Sequence, residues 1–195
     1  KTGATIRNFV IRGLAPEAFA YIDRGHGRSN AHLLACAHVK HYSTASAACR
    51  LIWRLEHNFN KSRMESWEML EIMERFPEIE DVANWIGGIQ GASAIFYGGT
   101  STGLKVLTDR ANKALSDEFW LKVLTGENIS ANDPEFILRR KIIESRGTRR
   151  SAPKISQEEQ VVFTIKAWNA RITGRKLQVL RWDEESPVPE IATTE

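Results

Sequence analysis

The sequence predicts a mainly α-helical, multi-helix domain with a leading β-strand, left from an N-terminal α/β domain, and a short C-terminal strand. Three observations carry this. Apolar residues recur at three- and four-residue spacing through most of the chain, the pattern of helices with one buried face. Those stretches are bounded by Ser, Asp or Pro at their starts and Gly at their ends. Dense β-branched runs are confined to the two ends.

Residues 4–13 (ATIRNFVIRG) hold the first such run and stop at Gly13. One strand cannot satisfy its own backbone donors and acceptors, and the chain opens on Lys1 rather than methionine. Residues 1–14 are therefore expected to be the last strand of a truncated domain. Pro16, at a first-turn position, opens a short helix to Asp23. Ser29 or Asn30 caps a second helix to about Val39, and Thr44 or Ser46 a third to Phe59. In that third helix Ala48, Leu51, Ile52, Leu55 and Phe59 share the inner face, while Arg50, Arg54 and Asn58 face outward.

A fourth helix runs from Ser66 to Phe76 and stops at Pro77; a fifth runs from Glu78 to Ile89, interrupted at Gly87 and Gly88. Residues 92–103 are rich in Gly, Ser and Thr and read as a loop or a gap between helices. Two helices follow, Leu104 to Leu115 and Ser116 to Thr125, the second capped by Ser116 and stopped by Gly126. Asp133-Pro134 starts a helix through Glu144. The capping box Ser156-Gln-Glu-Glu159 starts the last, which runs to about Thr173. Lys176 to Trp182 is the short strand, residues 15–182 form the helical domain, and residues 183–195 are an acidic tail with little to bury.

Composition narrows the class. With 42% hydrophobic and 26% charged residues the chain has enough apolar surface for a core, which excludes disorder along most of its length. The best apolar stretch, Ala15 to Ile22, is too short for a membrane span and contains Glu17. The two cysteines, Cys36 and Cys49, sit in apolar surroundings, so inert core thiols in a reducing, cytoplasmic setting are expected rather than a disulfide frame or a nucleophile. His26, His32, His38, His41 and His57 lack a Cys-x-x-Cys or His-Glu-x-x-His spacing, so neither metal nor cofactor is expected. Glu65, Glu68, Glu71 and Glu74 read as a solvated face, and Trp53, Trp67, Trp85, Trp120 and Trp168 as core.

Charge is strongly segregated. Residues 1–64 hold ten basic and three acidic side chains, residues 65–135 five and thirteen, residues 136–181 twelve and three, and residues 182–195 none and five. The densest basic cluster is Arg139, Arg140, Lys141, Arg146, Arg149, Arg150 and Lys154, against the single acid Glu144. Three readings fit it: complement to a helix dipole, a phosphate-contacting surface, or pairing with the acidic middle block in the same molecule or in an oligomer. A second phosphate candidate is the loop Arg24, Gly25, His26, Arg28 and Ser29, which brings two arginines and a histidine to the start of a helix. It lacks the lysine and spacing of a P-loop and the three glycines of a Rossmann turn, so a tight turn with a helix cap fits equally. No catalytic constellation is visible.

The stretch FVIRGLAPEAFAYIDRGHGRS (residues 9–29), with IKAWNA (165–170) and LRW (180–182), resembles the region that follows the ParB/sulfiredoxin-like domain in a group of phage and bacterial proteins. Asp23, Gly25, Arg28 and Ser29 match the Asp-x-Gly-x-x-Arg-Ser/Thr pattern there. The resemblance implies that the Asp-Gly-Gln-His-Arg motif of the upstream domain lies before Lys1. It also implies a protein that handles DNA or nucleotides, with nuclease, nucleotide-hydrolysing and DNA-modifying roles among relatives of that upstream fold. The expected function is a DNA-associating or assembly domain, with nucleic acid, another copy of the chain and the missing N-terminal domain as partners. The rivals are part of an enzyme with upstream catalytic residues, or a protein–protein interaction module.

Overall fold

A computed structural model describes residues 29–146, 155–183 and 185–194. It contains α1 (Asn30–Cys36), α2 (Tyr42–Glu56), α3 (Ser66–Arg75), α4 (Ile79–Gly87), α5 (Ala92–Ile95), α6 (Gly98–Thr125), α7 (Pro134–Arg146) and α8 (Gln157–Thr173). No β-strand occurs among the described residues, which corrects the expected mixed fold class to all-α over this part of the chain. The leading strand and the first short helix fall outside the described residues. The C-terminal strand is overturned: Lys176 to Trp182 is irregular chain, with no strand among the described residues to pair with. Its anchors are Leu180, buried in the core, and the Arg181 carbonyl, which accepts from Lys166 Nζ at 2.5 Å.

Most helix ends obey local chemistry. Ser29 caps α1, accepting from the His32 amide at 3.4 Å. α8 begins with the Ser156/Glu159 capping box and ends at Gly174 in the left-handed region. α3 has a capping box as well, but Glu65 rather than Ser66 is its cap and Glu68 its reciprocal acid. α1 stops at Cys36, short of Val39, and His38 and His41 take left-handed backbone angles that turn the chain into α2.

α6 is the centre of the structure, touching α2, α4, α5, α7 and α8. Its first turns are the glycine- and threonine-rich segment expected to be a loop or gap. Gly99, Thr100, Ser101, Thr102 and Gly103 are instead helical and buried. Low helix propensity is overridden here by packing, because small side chains let α2 lie close. A Cβ on Gly99 would collide with the Ala47 side chain and stand 3.1 Å from the Ala47 carbonyl carbon. A Cβ on Gly103 would stand 3.1 Å from Leu51 Cδ2 and 3.2 Å from the Ala48 oxygen.

The two helices expected after residue 104 exist, with the break moved to Asn112. This residue has extended backbone (φ −165°, ψ 101°), and its Oδ1 accepts from the Leu115 amide at 3.0 Å, the geometry of an N-cap. Ser116, the expected cap, is buried and bonded to Thr108 at 2.8 Å. In a straight helix, residues twelve apart would be separated by about 18 Å along the axis. Here Lys105 Nζ meets Asp117 Oδ1 at 2.5 Å and Trp120 Nε1 donates to Thr108 Oγ1 at 2.9 Å, so the two halves fold back on one another. Trp120 packs edge-on to Phe96 and Phe119, and Phe119 edge-on to Trp168 of α8.

The acidic tail buries more than expected. Asn169 Nδ2 donates to the Glu190 carbonyl at 2.7 Å and its Oδ1 accepts from the Ala192 amide at 2.8 Å; Trp168 Nε1 donates to the Ala192 carbonyl at 3.0 Å. Thr194 then reaches the α6 corner at Ala111 and Asn112. Two further expectations are corrected: Trp67 is 56% exposed, and Cys36 is exposed rather than a core thiol. Cys49 is buried, which pushes its thiol up to about 12.

The close contact of α2 and α6 gives a direct test. Gly99→Ala should cost about 1–3 kcal/mol by overpacking, despite the helix propensity gained. Gly88→Ala, where the nearest atom would be 3.5 Å away, should be neutral or slightly stabilising. Urea denaturation of both variants checks this, and equal effects would show that the contact yields.

Candidate phosphate-binding groove

The outward arginines of α2 line a groove. Ser43, Ala47, Arg50 and Arg54 recur along one side of α2; with Ser46 and Leu51, Ala31 of α1 and Gln157 of α8 they enclose about 270 Å³. Arg54 is locked in place. Its Nη2 lies 2.5 Å from Glu158 Oε1, its Nη1 donates to Gln157 Oε1 at 3.4 Å, and its guanidinium stands 4.6 Å from the Phe59 ring centroid. Its Nε is buried without a hydrogen-bond partner. Arg50, one turn earlier, is exposed and meets no carboxylate among the described residues. Gln157 stands at the start of α8 with its Nε2 donating to Thr100 Oγ1 at 3.1 Å; the Glu159 amide there is taken by the Ser156 cap, and Glu158 and Glu159 are both in this first turn.

Of the expected phosphate loop, only Ser29 is described, as the cap of α1. Arg24, Gly25, His26 and Arg28 lie outside the described residues.

The basic block is divided among different tasks. Arg139 is partly buried and donates to the Val123 and Leu124 carbonyls at 2.7 and 2.9 Å, closing the C-terminal end of α6. Gly126, at φ 77°, makes room for it, and burial lowers the Arg139 pKa. Arg140 lies 3.8 Å from Glu144 and over the Phe136 ring, and half-buried Lys141 lies 5.7 Å from the Phe163 ring. The Arg146 side chain and Arg149, Arg150 and Lys154 fall outside the described residues. Part of the wider positive region pairs inward: Arg171 bonds Glu118 at 2.7 Å and faces Glu135 at 3.3 Å, both from the acidic middle block.

Glu135 is fully buried in the first turn of α7, and neither of its oxygens has a hydrogen-bond partner. Burial pushes its carboxyl above the ordinary glutamate value, and the charges of Arg171 and Lys122 only partly offset that.

A second polar centre lies at the α6 corner. Lys105 is 1% exposed, with its ammonium 2.8 Å from Asp109 Oδ1, 2.5 Å from Asp117 Oδ1 and 4.4 Å from the Trp85 ring centroid. Lys113 bonds Asp117 at 2.9 Å, and Arg110 bonds Glu78 at 2.5 Å. Burial tends to raise the Asp117 carboxyl, but hydrogen bonds from Lys105 and Lys113 outweigh it and leave the pKa lowered. Sequence reasoning missed this centre because a Lys105–Asp109 pair at i,i+4 looks like an exposed helix pair. Its signal was the position of Lys105 between Leu104 and Val106 in an otherwise buried run. Arg50 faces outward as expected, whereas Arg54 is partly buried, with its guanidinium held by Glu158.

Among the described residues, no group of three or more His, Cys, Asp or Glu side chains could hold a metal ion, and no helix is long and apolar enough to cross a membrane.

Two stability measurements follow. Glu135→Gln should be neutral or stabilising at neutral pH, because the fold disfavours the carboxylate and Arg171 keeps Glu118. The raised carboxyl favours the fold below its unfolded value, and that contribution is lost as pH rises through the folded value. The melting-temperature gap between variant and parent should therefore open upward across that window. Lys105→Ala should cost about 3–5 kcal/mol by stranding buried Asp109, measured by denaturant unfolding.

No protein-family model, curated protein or solved structure matches the chain.

Proposed function

We propose that the chain is a nucleic-acid-associating helical module, which holds backbone phosphates in the groove between α1, α2 and the start of α8. The observation that supports this best is exposed Arg50, which meets no carboxylate among the described residues, beside the hydroxyls of Ser43 and Ser46 at the groove wall; Arg54 next to it is held by Glu158. Arginine forks and hydroxyl donors are groups that bind phosphate oxygens. In the sequence, Arg24 and Arg28 before α1 and Arg149, Arg150 and Lys154 after α7 are further cations that a longer polyanion would recruit.

DNA is the preferred polyanion on the resemblance to ParB/sulfiredoxin-like proteins, in which this chain would be the helical part beside an α/β domain. Arg139 is outside this surface, since its guanidinium is used at the end of α6.

Fluorescence anisotropy of labelled duplex DNA against salt tests the reading. Affinity should fall steeply as salt rises, and Arg50→Glu should weaken low-salt binding about tenfold and flatten the log–log salt slope by about 1. Arg50 is exposed, so the variant should melt like the parent. Absence of binding at low salt, or unchanged affinity in Arg50→Glu, would overturn the groove.

A further inference from the structure

We propose that the cleft between α4 and the α6 corner is a binding site for a small alkyl amine or guanidine, a cation on a short aliphatic stem. The cleft encloses about 390 Å³, within the range of small-molecule sites. Val82 and Trp85 of α4 form an apolar wall, and the Lys105–Asp109 pair forms the floor. Glu78, Asp81, Arg110 and Lys113 stand around the mouth.

Charge decides the sign of the ligand. All three cations of the cleft are taken: Lys105 by Asp109 and Asp117, Lys113 by Asp117 and Asp109, and Arg110 by Glu78. Counting Asp117, three carboxylates besides Asp81 balance those three cations, so the centre is neutral until Asp81 adds one uncompensated negative charge. Asp81 is exposed and pairs with no cation among the described residues. It lies four residues before Trp85, so carboxylate and indole are neighbours on one face of α4.

The floor shows what this environment holds. Lys105 is itself an ammonium on an aliphatic stem, seated 4.4 Å from the Trp85 centroid between two carboxylates at almost zero exposure. A ring face and a carboxylate together bind organic cations more strongly than either alone. The mouth repeats the arrangement with the free Asp81 and the exposed part of Trp85, and Val82 covers the stem. An anion would find every cation already paired. This site is separate from the α2 groove and does not rest on the DNA reading.

Isothermal titration of the full chain with agmatine, with cadaverine, and with glutarate as the anionic counterpart tests the proposal. Saturable binding of agmatine or cadaverine is expected, with none for glutarate. Asp81→Asn, an exposed and unpaired position, should weaken amine binding about tenfold without changing the melting temperature. Trp85→Leu should weaken it too, and Arg50→Glu should leave it unchanged. No saturable amine binding at millimolar concentration, equal affinity in Asp81→Asn, or preference for glutarate would each overturn the proposal.

Discussion

The approach of α2 to the first half of α6 sets the spacing of everything else. Ala47 and Ala48 face Gly99 and Gly103, with no room for one further carbon at Gly99. The small residues bring two backbones together, and the larger side chains at their flanks, Leu51, Ile52, Trp53 and Leu104, then close against α3, α4 and α8. The bend is exposed on the side of Arg110 and Lys113, but its inner side is buried, where the polar groups must satisfy one another. Asn112 caps the second half, Thr108 receives Trp120 and Ser116, and Lys105 receives two aspartates.

The same constraint explains how charge is used. The segregation along the sequence is partly undone in space, where Arg171 joins Glu118 and Glu135, and Arg54 joins Glu158. Of these only Glu135 is fully buried, so Arg54–Glu158 and Arg171–Glu118 add little, whereas a pair such as Lys105–Asp109, buried on both sides, makes loss of one partner costly. Removing one partner leaves the other stranded. Exposed pairs such as Arg63–Glu65 do not carry that penalty.

Legibility followed the range of the interaction. Caps and stops are local, so Ser156 with Glu159, Asp133-Pro134, Gly126 and Gly174 could be read directly. Residues 98–103 could not, because their helix exists only while α2 covers it. Residues 176–182 have strand-like composition, yet a strand needs a partner that composition does not supply. At the candidate site, the outward side of α2 was legible from periodicity. Its convergence with Gln157, more than a hundred residues later, was not. Arg139 shows the limit most clearly: the sequence gives a cation in a basic run, and only the fold shows that it faces two carbonyl oxygens at the end of α6.

The attachment of residues 190–194 along α8 and at the Asn112 corner bears on when this molecule can fold. Thr194 meets Ala111 and Asn112 across more than eighty residues, and Ala192 satisfies the indole of Trp168. The segment can dock only on a surface that the α6 hairpin and α8 have already formed. Until it docks, the Trp168 donor and the side chain of Asn169 face water, and the corner is open. With α8 packed on α6, only the stretch from Gly174 to Glu190 has to be closed by this contact, at a modest loop entropy. This contact therefore forms late, since it needs both halves of α6 and α8 already in place.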